Sequence, residues 1–451
     1  MRNRRIPALS ASRNPLSLRD AFTNPSAFLL RLSCAAGDIG EFKAGPVHII
    51  CVNRPEWVHT ILVEQASAFR KMPAVKTLRV FTGDGLLVSD GATWVKHRRL
   101  AAPAFHRQRI LAYQSVAMRA TQEMIAGWHD GQVIDLEHEM KRLTLTIVGR
   151  ALFTRDVNEV ADGLSRDVDR ALDYVNGLSS RVTLPIIRSI ARHDREALAA
   201  IARVDAAVRN LIRTRRAQAA PTADLLDMLL AARTEDGEAL SDDEVRDEVI
   251  TMFVAGHETV ATVLTWLFYL VARHPEVQAD LEREAREAQA VDRSPADEPF
   301  QRPYAMRVYK EAMRLYPGGF TIGRQAIQDV RLGDYVIPAG AWVMISPYSV
   351  HRNPAIFPSP ERFDPERFTP ENERALPRAS YIPFGIGPRA CIGGQFALME
   401  GQVIVSTLAA QARLVNVTPG EVGIRPLVTL RPDRKIEMRV QKISPGRREG
   451  S

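Results

Sequence analysis

One thiol stands in a setting that no other residue of the chain shares. Phe384-Gly385-Ile386-Gly387-Pro388-Arg389-Ala390-Cys391-Ile392-Gly393 places glycines two, four and six residues from Cys391. Lacking Cβ atoms, these glycines let the backbone approach whatever the sulfur binds and leave N–H groups free to donate to a thiolate. Phe384 can shield the sulfur from water, and Arg389 can pair with an anion. A desolvated thiolate held by N–H donors is the ligand a haem iron takes when an O–O bond is to be cleaved. Gly385-x-Gly387-x-x-Ala390 also imitates a dinucleotide fingerprint. That motif should follow a strand, open a helix and meet an acidic residue about twenty positions on. Here it follows Tyr381-Ile382-Pro383, and no acidic residue lies between Glu400 and Glu421.

A second cluster, Ala255-Gly256-His257-Glu258-Thr259, lies inside the longest apolar run, Val249 to Ala272. His257-Glu258 suggests a zinc H-E-x-x-H, but the second histidine position is Ala261, so that reading fails. Gly256 in mid-helix costs about 1 kcal/mol relative to alanine. With Thr259, whose hydroxyl can bond back to an upstream carbonyl, it permits a local opening of the helix. Glu311-Ala312-Met313-Arg314 sets a carboxylate and a guanidinium one helical turn apart. On an exposed helix such a pair contributes only about 0.2–0.5 kcal/mol.

The ten residues around the thiol fit F-x-x-G-x-R-x-C-x-G at all five fixed positions. An inert structural cysteine, the common fate of a free thiol, does not account for that match. The chain resembles the cytochrome P-450 family of haem-thiolate monooxygenases. The resemblance implies that Cys391 is the axial ligand of the iron in haem b (iron protoporphyrin IX), with Phe384, Gly385, Arg389 and Gly393 in the binding loop. Ala255-Gly256-x-Glu258-Thr259 matches the family's A-G-x-E-T oxygen-activation motif. Ala255 and Gly256 then face the cofactor, Thr259 holds the oxygen and its water, and Glu258 passes protons inward. Trp94 and Arg98 fit W-x-x-x-R and would contact a propionate, as would Arg324 and Arg389. Glu311, Arg314 and Arg367 of the later Pro365-Glu366-Arg367-Phe368 match a structural triad that holds the thiolate loop and is not catalytic.

The family's substrate positions fall on Phe81, Leu86, Leu87 and Val88, on Met252, Phe253 and Ala255, on Phe320, Thr321 and Ile322, and near Val428-Thr429. Most are apolar, which favours a mainly hydrophobic small molecule, although the same residues would serve equally as core. The reaction implied is insertion of one oxygen atom from O₂ into an unactivated bond. The chain is too short to include a reductase and has no flavin or iron–sulfur cysteine pattern. Electrons would come from a separate ferredoxin and ferredoxin reductase. Two other readings are a peroxide-driven peroxygenase, whose family members lack the acid–alcohol pair kept here, and a non-catalytic haem-binding sensor, which would not need that pair.

The elements that must position these residues read as mainly α with small β-sheets, the haem lying between a long central helix and the Cys391 loop. At 451 residues the chain exceeds the usual single core. The resemblance instead implies one haem-binding domain over 25–441, with a flexible segment at 1–24 and a disordered tail at 442–451. Residues 54–315 read mainly as helix, 320–346 and 413–441 as short strands, and 353–383 as irregular loop. Val47–Val52 is a strand, and Tyr335-Val336-Ile337 is another before the turn Pro338-Ala339-Gly340. The run from Val249 is long enough to span a membrane. Yet His257 and Glu258 sit near its centre, where charge is costly in lipid. Asp242, Asp243, Glu244 and Asp247 crowd its start, as suits a helix N-terminus capped by Ser241.

Composition is that of an ordinary soluble globular protein, 45% hydrophobic and 25% charged. Three cysteines (Cys34, Cys51, Cys391) without C-x-x-C speak against a disulfide framework or a zinc site and for a cytoplasmic protein. Arg2, Arg4 and Arg5 are followed by no apolar stretch, so the N-terminus is neither signal peptide nor membrane anchor, as in soluble bacterial members of the family. The net charge of +7 is spread over dispersed arginines with no basic run among aromatics. That excludes nucleic acid and leaves an acidic protein partner open.

Overall fold

The computed structural model describes residues 4–9, 25–44, 47–154, 161–182, 191–218, 224–234, 236–290 and 303–443. Its longer helices are α1 (Pro25–Ala35), α2 (Gly91–Ala101), α3 (Arg107–Ala126), α4 (Leu136–Phe153), α5 (Ala161–Val182), α6 (Ala191–Ala217), α7 (Asp242–Val271), α8 (Pro275–Ala290), α9 (Pro303–Leu315) and α10 (Gly394–Gln411). The strands are β1 (Ile39–Ala44), β2 (Val47–Val52), β3 (Phe69–Lys71), β4 (Val133–Asp135), β5 (Ile322–Ala326), β6 (Val330–Leu332), β7 (Tyr335–Ile337), β8 (Trp342–Ile345), β9 (Ala412–Asn416), β10 (Ile424–Pro426), β11 (Leu430–Pro432) and β12 (Glu437–Lys442). Strands β3 and β4 interrupt the region read from the sequence as helix. The region 353–383 carries two short turns of helix, Pro365–Phe368 and Pro370–Ala375, within irregular backbone.

The long helix α7 begins as its sequence dictates. Ser241 Oγ accepts from the Glu244 N–H, and the Glu244 carboxylate accepts from the Ser241 N–H, a complete capping box. Asp242, Asp243 and Glu244 complement the positive end of the helix. Helices α4, α6, α9 and α10 pack around it, which explains apolar residues on all faces in place of a single stripe. It is long and apolar enough to cross a membrane, but 83% of its most apolar stretch is buried inside the protein. It is the core helix. The helix runs unbroken through Gly256. A Cβ at Gly256 would lie 3.1 Å from Val148 Cγ2 on α4. The glycine therefore serves the close approach of two helices.

The larger sheet has the order β1-β2-β8-β5-β3, with β2 and β8 parallel and every other pair antiparallel. A three-stranded sheet, β4-β12-β9, joins the C-terminal region to the start of α4. Of the leading segment expected to be flexible, residues 4–9 run beside β1. The Leu9 N–H donates to Glu41 O at 2.7 Å and the Glu41 N–H to Pro7 O at 2.8 Å, and Ile6 is buried. The rest of 1–24 lies outside the described residues, as does 444–451 of the expected tail.

Candidate active site

The Cys391 loop is a tight backbone cradle between β8 and α10. Gly385 and Gly387 adopt φ of 66° and 77°, a region that strains any residue with a Cβ. At Gly387 a Cβ would fall 2.0 Å from Leu62 O, so the loop presses backbone to backbone on the turn Thr60–Glu64. The Cys391 N–H donates to Phe384 O at 2.9 Å and the Ala390 N–H to Gly387 O at 3.0 Å. Phe384 packs beside Gly394, where α10 begins. Cys391 is exposed as a residue. The protein crowding its other sides raises the thiol's pKa, and the Gly393 N–H and the charge of Arg98 act against that rise. A metal would complete what those donors begin, since the ligand is the thiolate.

Around this loop the structure assembles more positive charge than it neutralises. Arg98 Nη1 donates to Ala390 O at 2.8 Å. Arg389 lies over the Trp94 ring, 4.5 Å from its centroid, and pairs with Asp90. Its Nη1 is buried without a hydrogen-bond partner among the described residues. Arg324, expected as a third arginine, is pushed down to about 10 by burial and by Arg389. Lys71, which the sequence did not single out, stands opposite Arg324 in the β3–β5 ladder. It donates to Leu86 O and Leu87 O, each at 2.7 Å, and burial with the neighbouring Arg389 pushes it down to about 7. Arg389, Arg324 and Lys71 all feel the carboxylate of Asp90, and Arg98 lies on the loop beside them. Such a cluster is built for a dianion, and the two propionates of haem b fit it.

On α7 the middle turn differs from its surroundings. Ala255 is exposed, and Gly256 and Thr259 are half-buried, whereas Thr251 to Val254 are buried. Thr259 Oγ1 donates to Ala255 O at 2.7 Å. Gly318, just after α9, approaches Thr259 so closely that a Cβ there would lie 3.1 Å from Thr259 Cβ. Glu258, next in sequence, points elsewhere and is 2% exposed. Its Oε1 accepts from Arg431 Nε at 2.7 Å and from Thr429 Oγ1 at 3.0 Å. Arg431 also donates to Asp169 Oδ1 at 2.7 Å, and Lys141 holds Asp169 at 3.1 Å. Glu258 Oε2 and both ring nitrogens of His257 are buried with no partner among the described residues. Burial keeps His257 below the ordinary imidazole value.

The expected structural triad is assembled. Arg314 meets Glu311 through two bonds of 2.7 and 2.8 Å, both side chains fully buried, and Arg367 Nε lies 3.5 Å from Glu311 Oε1. Arg314 further donates to the carbonyls of His351, Pro360 and Arg362. His351 supplies the link from this triad to the thiolate loop. Its Nδ1 donates to Arg314 O at 3.3 Å, and its Nε2 accepts from the Ile382 N–H at 2.8 Å, two residues before Phe384. Sequence reasoning missed His351, because nothing local marks it.

The expected substrate residues divide. Leu87 is exposed, Thr321 and Val428 are half-buried, and Phe320 is buried beside the Ser346 hydroxyl that bonds its carbonyl. Phe81 is fully buried in the main core. Phe253 packs on Phe153 of α4, ring centroids 5.9 Å apart.

The chain is similar to known proteins over most of its length. The sequence model of the family described as Cytochrome P450 matches residues 14–411. Cyclooctatin synthase of Streptomyces melanosporofaciens is 34% identical over 418 residues, 90% of this chain and 89% of that one. Pentalenene oxygenase of Streptomyces avermitilis is 34% identical over 432 residues, 94% of each. The crystal structure of the cytochrome P450DA heme domain superposes with a TM-score of 0.88 at 27% identity, covering 99% of both chains. With the thiolate loop, the cation cluster and the Glu311–Arg314–Arg367 triad in place, the chain belongs to the cytochrome P450 family of haem-b-containing monooxygenases and is an oxidoreductase.

Proposed function

We propose that this P450 inserts one oxygen atom of O₂ into an apolar small molecule, drawing electrons from a separate ferredoxin and ferredoxin reductase in the cytoplasm. The observation that carries the reading is the accessible patch Ala255, Gly256 and Thr259 in the buried middle of α7, with the carboxylate of Glu258 joined behind it through Arg431 to the partly exposed Asp169. Cys391 is the ligand through sulfur. Trp94, Arg98, Arg324, Arg389 and Lys71 would hold the propionates. Bound haem supplies the iron at which O₂ is reduced. The protein's part is to place protons and exclude water. Thr259 Oγ1, now bonded to Ala255 O, is the hydroxyl that holds a water at the oxygen-binding face. Glu258, whose Oε2 has no hydrogen-bond partner among the described residues, would pass protons inward, while Arg431 keeps its charge and orients both carboxylates. Positioned acid groups of this kind are most effective where water is excluded.

Leu87, Thr321 and Val428 offer apolar or weakly polar contact to a ligand, and the relatives named for cyclooctatin and pentalenene make terpenoids the first class to screen. All three cysteines are free, as befits a reducing compartment. A groove of about 710 Å³ has Arg107, Lys310, Phe384 and Gln395 among its walls, beside the start of the thiolate loop. The decisive experiment pairs two measurements. Reduced protein with carbon monoxide should show the red-shifted band of thiolate ligation, and Cys391→His should lose it. Ferredoxin-supported turnover of a terpenoid panel should yield hydroxylated product; consumption of hydrogen peroxide alone, with none from the ferredoxin chain, would overturn the monooxygenase reading.

A further inference from the structure

Helix α2 is poorly anchored for an element with so much to position. It carries Trp94 and Arg98, yet its eleven residues bury only His97, Leu100 and Ala101, and no side chain caps its N-terminus. A helix this short is marginal without tertiary contacts. Two of its three buried side chains are apolar and small or medium in size; the third is an imidazole. His97 is 1% exposed, one residue and therefore about 100° around the helix from Arg98. Its Nδ1 lies 2.7 Å from Glu248 Oε1, a carboxylate that is itself fully buried, and its Nε2 lies 3.5 Å from Glu244 Oε1. Both acids belong to the first two turns of α7. Glu244 is further tied to Lys96 at 2.8 Å and to the Ser241 N–H. Glu248 Oε2 has no hydrogen-bond partner among the described residues. None of these groups is used by the oxygen-activating residues.

We propose that His97 is a positioning residue for the haem: clamped between Glu248 and Glu244, it fixes the helix that carries Trp94 and Arg98 against the start of α7. The proposal rests on the haem reading above. Arg98 reaches Ala390 O from that helix, so the clamp braces the propionate-binding side chains and the thiolate loop against the central helix together. Burial opposes the charge on His97, but the hydrogen bonds and charges of Glu248 and Glu244 outweigh it and hold the imidazole above its ordinary value. From α7 come Glu244 and Glu248. From α2 itself comes Lys96, paired with Glu244. From β3 comes Lys71, whose charge acts on Glu248. The helix Leu225–Ala231, packed on α2, brings Asp227, which is already held by Arg215 at 2.9 Å. A group with a raised native value contributes its stability below the unfolded value and loses it as pH rises through the native one. The clamp therefore releases on the alkaline side and leaves Glu248 buried without its cation.

The test is the rate at which ferric haem leaves the purified holoenzyme for excess apomyoglobin, followed across a pH series. In the parent protein the rate should be low at neutral pH and climb on the alkaline side. His97→Gln keeps a hydrogen-bonding amide but no charge. It should release haem roughly 10-fold or more faster at neutral pH, as removal of supports behind cofactor ligands does, and should lack the alkaline climb. Glu248→Gln should move that climb to lower pH, and it carries the test if His97→Gln does not fold. Both variants should keep the thiolate band with carbon monoxide. A His97→Gln or Glu248→Gln protein with the parent's rate and pH profile would overturn the proposal. A parent protein that takes up no haem at all would instead sink the functional reading on which it stands.

Discussion

Arg431 keeps its charge in a place where burial alone would strip it, because Glu258 and Asp169 share its guanidinium. Breaking a buried pair by removing one partner leaves the other charge uncompensated, at a cost of about 3–5 kcal/mol. Arg431→Met should therefore destabilise the fold by that amount in urea titrations, and Glu258→Gln by clearly less, since Arg431 retains Asp169. Turnover should rank the other way. Glu258→Gln and Thr259→Ala leave the framework standing but remove the groups proposed to deliver protons. Product formed per NADPH or NADH consumed should fall by roughly 10-fold or more, and the lost oxygen should be recovered as hydrogen peroxide. Unchanged coupling in Thr259→Ala would remove that hydroxyl from the mechanism. These residues differ in how legible they are. Thr259 and Glu258 stand in a contiguous motif. Arg431 and Asp169 reach them from β11 and α5, far away in sequence.

At the scale of elements, local signals carried the most. The capping box at Ser241 and the turn after Tyr335–Ile337 are where the sequence puts them. So is the thiolate loop, because turns and caps are written in adjacent residues. Long-range pairing is not. Lys71 joins the cation cluster only because β3 pairs with β5 in the register Lys71↔Arg324, and no spacing in either strand announces that partnership. The packing reason for the mid-helix glycine was hidden for the same reason: it lies on Val148, in another helix. His351 is a further case, and it makes a prediction. Burial, with Arg314 nearby, pushes it down to about 3, while an unfolded histidine titrates near roughly 6.5. The unfolded chain thus binds the extra proton between those values, so stability should drain away as pH falls from about 6.5 towards 3, by up to about 1.4 kcal/mol per pH unit. Urea midpoints from pH 7 to pH 4 would show it. His351→Gln should start lower at pH 7 and lose less on acidification; an equal slope in both proteins would assign the acid sensitivity elsewhere.

Across the whole molecule, the charge of +7 bears on how electrons arrive. Electrostatic steering by an acidic ferredoxin would fade as salt shortens the Debye length to roughly 8 Å at physiological strength and below that at higher strength. Electron-transfer rates should fall along a salt series, and Arg99→Glu, on the exposed side of α2, should slow them at low salt. A rate indifferent to both would mean that the charge steers nothing. The larger sheet has a different kind of reach. Its strand order takes β2 from residues 47–52 and sets it parallel to β8 at 342–345, and the Gly387 turn then closes on Leu62. Contacts spanning so much of the chain form slowly. On a ribosome, the floor of the cofactor pocket is among the last parts to emerge, and its counterpart near Leu62 has by then waited for most of the synthesis. Ligation through Cys391 must therefore wait until residue 391 has left the exit tunnel, and the half-made chain must remain soluble, with the β8-facing edge of β2 unpaired, until residues 342–345 have emerged.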